Sequence, residues 1–278
     1  MRRALSTNVG LNRINWNLNY EDPPALRHDL ENQMNMVAGS TTPGPHGPQV
    51  IPGVYTLKLT VDGQVYTSKV TVINDPRAGQ STELMAALRA QNRLSLLSVQ
   101  GMTQSFAGND EVSVVRNQLA SLLKGNLTDD VSKQAKALDA DLTKIGGATP
   151  GAGGAGGAGG AGGGANRRPP DPNEMKSFAD LNNSYNTMVS MIQVGLDMAP
   201  TPTQIATWES DCNNYNRTLA AWNGMQQQIK DFNALLTKNN LPELKVTSSK
   251  LTNASCKFIP EQGRQVNKIP DQGKKMSK

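Results

Sequence analysis

The run PGVYTLKLTVDGQVYTSKVTVI, from Pro52 to Ile73, constrains this chain more than any other. Two alternating β-prone stretches flank Asp62-Gly63, a dipeptide suited to the positive φ of a tight hairpin turn, so the run predicts a β-hairpin. Tyr55, Leu57, Leu59 and Val61 fall on one face, and Tyr66, Val70 and Val72 continue an apolar surface on the return strand. Upstream, Ile14, Trp16, Leu18 and Tyr20 alternate at period two and predict a third strand. A Pro/Gly-rich insertion, roughly 22 to 48, separates that strand from the hairpin, with one short helical turn expected near 30 to 37. Pro76 cannot donate to a ladder and ends the sheet. Three strands make a thin core, so further short strands or packing on helices are expected.

Beyond Pro76 the period changes to that of helices. Ser81 is a good N-cap for a helix carrying Leu84, Leu88, Leu94 and Leu97. Asp110 is placed to cap a second helix with Val112, Val115, Leu119 and Leu122. Gly125-Asn126 interrupts, and Thr128 restarts a helix bearing Val131, Ala135, Leu138, Leu142 and Ile145, closed by Gly146-Gly147. The Gly-Gly-Ala tract from Gly147 to Ala165 lacks both the proline of a collagen triplet and the Lys-Ser/Thr of a phosphate loop. It reads as a tether spanning about 25 Å root-mean-square. Helices resume with Leu181, Tyr185, Met188 and Ile192. Thr201-Pro202 then opens the strongest helix, on which Ile205, Trp208, Cys212, Tyr215, Leu219 and Trp222 alternate steps of 3 and 4. That seam requires partner helices, so an antiparallel bundle of about four is expected.

The fold class expected is therefore α+β in two units: an N-terminal Ig-like or fibronectin-III-like β-sandwich followed by an antiparallel helical bundle. The units are a β-module over 10–77, a first helical hairpin over 81–146, the Gly-rich linker over 147–172, a second helical hairpin over 173–240 and a basic disordered tail over 241–278.

Composition narrows function mainly by exclusion. Aromatic residues make up 4% of the 278 residues and the net charge is +5. Part of that excess sits in the tail, where Lys257, Arg264, Lys268, Lys274, Lys275 and Lys278 oppose Glu261 and Asp271. Such a tail can touch nucleic acid or anionic lipid, but a solvated terminus accounts for it more simply. No apolar run is long enough to span a bilayer, and the basic start lacks the apolar core of a secretory signal, so the chain is cytoplasmic if Met1 is its true start.

Candidate chemistry is sparse. His28 and His46 lie in the polar insertion without a second ligand at metal spacing, so no zinc site is expected. Paired carboxylates such as Glu209 and Asp211, or Asp129 and Asp130, read as helix-surface and helix-start charges rather than a glycosidase pair. Asn126-Leu127-Thr128, Asn216-Arg217-Thr218 and Asn253-Ala254-Ser255 fit a glycosylation sequon, but the motif is short and Asn216 is mid-helix. Trp208, Tyr215 and Trp222 could stack on sugars or bases; a position beside Ile205 and Leu219 favours core packing. Cys212 on the same stripe reads as a small buried hydrophobe, with a bridge to Cys256 left open. No catalytic, cofactor-binding or metal residue is assigned, and no cofactor is implied.

The segments GLNRINWNLNYEDPP, GPQVIPGVYTLKLTVDGQVYTSKVTVINDPR and DMAPTPTQIATWESDCNNYNRTLAAWNGMQQQIKDFNALLTKNNLPEL, in that order, resemble the C-terminal region of large bacterial exported proteins. These carry neuraminidase-type (BNR) or sortilin-type β-propeller repeats and are often labelled glycosyl hydrolases. The resemblance covers about Gly10 to Leu244. It implies an Ig-like module similar to the flagellar hook-capping Ig-like fold, then a helical region, in a periplasmic or extracellular protein. The propeller repeats are absent, so no functional residue transfers. The function implied is a noncatalytic accessory module whose partner is a β-propeller domain or another protein, with carbohydrate as a further ligand class. The alternatives are a fragment of a glycoside hydrolase that needs a separately encoded propeller, and a binder of nucleic acid or anionic surfaces acting through the tail.

Overall fold

The computed structural model describes residues 9–13, 16–26, 45–77, 79, 81–147, 174–193, 198–247 and 249–260. The elements run β1 (Gly53–Val61), β2 (Gln64–Val72), α1 (Thr82–Leu122), α2 (Asp129–Gly146), α3 (Phe178–Gln193) and α4 (Pro202–Lys238). His28 and most of the Gly-rich linker fall outside the described residues, as does the tail from residue 261.

No β-sandwich forms among the described residues: the sheet has two strands, β1 and β2, in antiparallel register from Gly53↔Val72 to Val61↔Gln64. Asp62 (φ 48°) and Gly63 (φ 79°) form the tight turn between them. The third strand expected near residue 18 reduces to one bridge, Asn19 with Gln49. Local bonds explain the loss. The Trp16 indole Nε1 donates to the Asn19 carbonyl at 2.9 Å and the Asn19 amide donates to Asn17 Oδ1 at 3.3 Å, curling the backbone back on itself. Leu18 is left at φ 60°. Alternation was there to be read, but the asparagines interleaved with it offer the backbone closer partners than a neighbouring strand.

The helices begin where their caps dictate. Ser81, Thr128 and Thr201 each accept from the third amide that follows, and Thr201 completes a capping box with Gln204 ahead of Pro202. The expected break at Asp110 does not occur. α1 is continuous for 41 residues, about 60 Å. Its buried line through Ser95, Ser98, Met102, Ser105 and Gly108 is built of small residues apart from Met102, and that line lets α3 approach. A Cβ at Gly101 would stand 2.5 Å from the Tyr185 ring, and one at Gly108 2.7 Å from the Phe178 ring. Two of the serine hydroxyls are satisfied within the helix, Ser98 Oγ donating to the Leu94 carbonyl and Ser105 Oγ to that of Gly101.

Side-chain contacts fix the directions. Asn109 reaches Gly146 and Arg116 reaches Asp139, so α2 runs antiparallel to α1. Gly101 meets Tyr185 and Gly108 meets Phe178, so α3 does too. Tyr215 bonds Gln104 and Trp222 bonds Glu111, so α4 is parallel to α1. The core lies between the four helices, with Trp222, Tyr215, Phe178, Leu94, Met102 and Leu119 almost fully buried.

Within the segment expected as a basic disordered tail, residues 241–247 and 249–260 lie against the bundle. They run as an extended strap back along α4. Side-chain amides grip its backbone: Asn233 accepts from the Leu244 amide and donates to its carbonyl, Gln118 does the same at Lys245, and Asn216 at Ala254. Glu111 accepts from the Ser249 amide and Glu209 from that of Phe258. Cys212 and Cys256 are joined in a disulfide. At the other end of the chain, the fully buried Asn182 donates to the Met102 carbonyl and accepts from the Leu26 amide, tying the N-terminal segment to α1 and α3.

Candidate functional site

The hairpin is the part of the molecule that the bundle does not use. Among the described residues no helix packs on either strand. Its register puts Tyr55, Leu57, Leu59, Val61, Tyr66 and Val70 on one face with Gln64 and Ser68, and Thr56, Lys58, Thr60, Thr67, Lys69 and Thr71 on the other with Val54 and Val65. At the root the apolar face is partly covered, where Trp16 packs edge-on against Tyr55 with ring centroids 5.7 Å apart and the Tyr55 hydroxyl donates to the Ile51 carbonyl at 2.7 Å. Burial there pushes the Tyr55 phenol well above its usual range. Toward the turn the same face is open: Leu57 is 46% exposed, Leu59 42%, Val61 46% and Tyr66 55%. Scattered exposed apolar residues are ordinary, but four on one face of one hairpin make a contiguous patch. Each strand is also an edge on its outer side, with lysines only on the polar face.

Below the hairpin root lies a cavity of about 300 Å³ bordered by Asn17, Leu18, Gln49, Asn74, Leu88 and Asn92 among others. No charged side chain lines it. Its amides serve the frame: Asn92 Nδ2 donates to the Gln49 carbonyl and Asn74 Nδ2 to that of Gly79, both at 3.0 Å. Proton transfer has no acid or base to use there.

The carboxylates weighed from the sequence have structural partners. Asp211, read as a surface residue, is 1% exposed, and its two oxygens accept from Lys176 Nζ at 2.5 Å and from Ser184 Oγ at 2.6 Å. Lys176 Nζ lies 3.5 Å from Ser184 Oγ, so a serine and a lysine do meet. The ammonium is held in an ion pair and the hydroxyl proton points at a carboxylate, an arrangement that braces the start of α3 on α4 and activates no nucleophile. Glu209 is taken by the strap amide of Phe258 at 2.9 Å. Asp129 and Asp130 are exposed in the first turn of α2, where their charge complements the helix start. His46 faces Asp22 at 3.6 Å, and among the described residues no group of three His, Cys, Asp or Glu side chains is placed to hold a metal ion.

Trp208, Tyr215 and Trp222 are all buried in the core, and Asn216 of the sequon grips the strap. What the sequence reading missed is the set of buried polar anchors: Glu111, Asn182, Asp211 and the strap-gripping amides. The available signal was polar residues on the inward stripes of α1, α3 and α4, where a solvated face would not put them. Among the described residues no helix is long and apolar enough to cross a membrane. No protein-family model, curated protein or solved structure matches the chain, so the resemblance drawn from its strand and hairpin motifs rests on those residues alone.

Proposed function

We propose that the chain is a noncatalytic accessory module of an exported bacterial protein, in which the bundle is a rigid support and the hairpin docks on an apolar protein surface. The observation that carries this reading is the open patch of Leu57, Leu59, Val61 and Tyr66, uncharged and unclaimed by the helices. Such a patch is the usual anchor of a protein interface. The β-propeller of the resembling exported family is the partner of first choice. The Cys212–Cys256 bridge supports an oxidising compartment, where disulfides persist. The reading as a hydrolase fragment draws no support from Glu209 and Asp211, whose oxygens are engaged in holding the fold together.

The test is titration calorimetry of the purified chain against a purified propeller of that family. Binding is expected, and a Leu57→Ser, Leu59→Ser, Tyr66→Ser triple variant should weaken it at least about tenfold while leaving the helical circular-dichroism signal unchanged. Absence of binding, or binding indifferent to the triple variant, would remove the proposal. Hydrolysis of glycosides by the mixture, but by neither component, would turn it into the fragment reading.

A further inference from the structure

The strap is held in two unlike halves. Its first half, Leu244 to Ser249, is gripped from two helices at once, by Asn233 of α4 and by Gln118 and Glu111 of α1, and Leu244 is buried in the core. Its second half, Ala254 to Phe258, is bonded to α4 through the Asn216 pair, the Glu209 carboxylate and the disulfide. Phe258 caps Trp208, ring centroids 6.4 Å apart and steeply inclined. Trp208 is 3% exposed, and its indole Nε1 has no hydrogen-bond partner. A buried donor left unpaired costs free energy that an acceptor brought to the same place would recover. Phe258 thus covers Trp208 without satisfying it.

We propose that the Cys212–Cys256 bridge is a thiol-sensitive latch: breaking it lets the second half of the strap lift from α4 and uncovers Trp208, while the first half stays docked and the bundle stays folded. The asymmetry of the two sulfurs suits this. Cys212 is 1% exposed, whereas Cys256 is half-buried and within reach of a reductant. A thiolate of a small dithiol attacks the Cys256 sulfur and expels Cys212 as a thiolate, which takes a proton. The second thiol of the reductant then closes on the first and releases Cys256 as a thiol. Two electrons and two protons pass to the protein, and the dithiol becomes a cyclic disulfide. What then holds the second half is the Asn216 and Glu209 bonds to the Ala254 and Phe258 backbone, the weak Asn216 Nδ2 bond to Cys256 Sγ at 3.4 Å and one ring, each of small net worth at a partly wet surface.

Hydrogen exchange by mass spectrometry on the full chain, oxidised and dithiol-reduced, tests the latch. The Ala254 and Phe258 amides, donors to Asn216 and Glu209, should exchange at least about tenfold faster on reduction. The Leu244 amide and the interiors of α1 and α4 should keep their rates. Acrylamide should quench Trp208 more strongly in the reduced protein, a gain that disappears in a Trp208→Phe variant. A Cys212→Ser, Cys256→Ser chain should match the reduced protein without any reductant. Unchanged exchange at Ala254 and Phe258 would overturn the proposal, because the hydrogen bonds alone would then suffice. General loss of protection would overturn it equally, because the bridge would be a staple of the whole fold.

Discussion

Glu111 shows how much one side chain can hold. It is 3% exposed in the middle of α1, a position where an uncompensated carboxylate would be costly. One oxygen accepts from the Trp222 indole at 2.7 Å and the other from the Ser249 amide of the strap. It therefore joins α1, α4 and the strap at one point. Glu111→Ala should leave an indole N–H and a backbone N–H unpaired, a loss of roughly 2–4 kcal/mol. Chemical denaturation measures it, and a loss below about 0.5 kcal/mol would show that water replaces the carboxylate. Nearby, burial and the Glu111 charge push the Tyr215 phenol up to about 12, and burial with the Asp211 charge pushes Tyr185 higher still. Both phenols keep their protons in the fold after the unfolded chain, near 10, has begun to lose them. Stability from this source is complete below about pH 10 and declines as pH rises toward 12. Denaturant midpoints from pH 8 to 12 should fall on that limb, and less steeply in Tyr215→Phe; a flat profile would contradict the burial of these hydroxyls.

At the scale of elements, α1 teaches what a hydrophobic period can and cannot reveal. α4 was legible because its inward stripe is written in Trp, Cys, Tyr and Leu, and α2 because Val131 to Ile145 keep strict steps. α1 reads as two helices because its middle turns face α3 with Ser98, Gly101, Ser105 and Gly108, residues that carry no hydrophobic signal. Shape, not apolarity, specifies that contact: the Tyr185 and Phe178 rings occupy the space that side chains would take. The β-sandwich expectation failed for the complementary reason. Alternation was present around Trp16, but Asn17 and Asn19 closed local bonds first. The partners of the buried anchors, Asp211 and Asn182 above all, were illegible because they are distant in sequence: Lys176 for one, Met102 and Leu26 for the other. A matched pair of glycine substitutions tests the account of α1. Gly108→Ala must displace the Phe178 ring and should destabilise by about 1–3 kcal/mol despite the better helix former. Gly224→Ala, where an added Cβ meets nothing within 4 Å, should stabilise by about 0.5–1 kcal/mol. Equal signs for the two in urea denaturation would refute the close approach of α1 and α3.

Across the whole molecule, stability and docking are assigned to different parts. The four helices and the strap share one buried core. Neither β-strand joins it, and its distal apolar face stays open. A two-stranded hairpin by itself is marginal in water, so its backbone bonds must open far more readily than those of the bundle unless something covers the open face. This predicts two tiers of hydrogen exchange in the isolated chain: hairpin amides such as those of Leu59 and Tyr66 should exchange at least about a hundredfold faster than amides around Met102 and Leu219. Replacing Val54–Thr71 with a short Gly-Ser turn should leave the bundle's thermal midpoint within about 2 °C, since no helix contact is lost. A bound partner should close the gap between the tiers by slowing the hairpin alone, because burying Leu57, Leu59 and Tyr66 stabilises the strands without touching the helices. Hairpin amides as slow as those of α4 in the free chain would mean that the strands borrow stability from the bundle, and the division of labour would then be wrong.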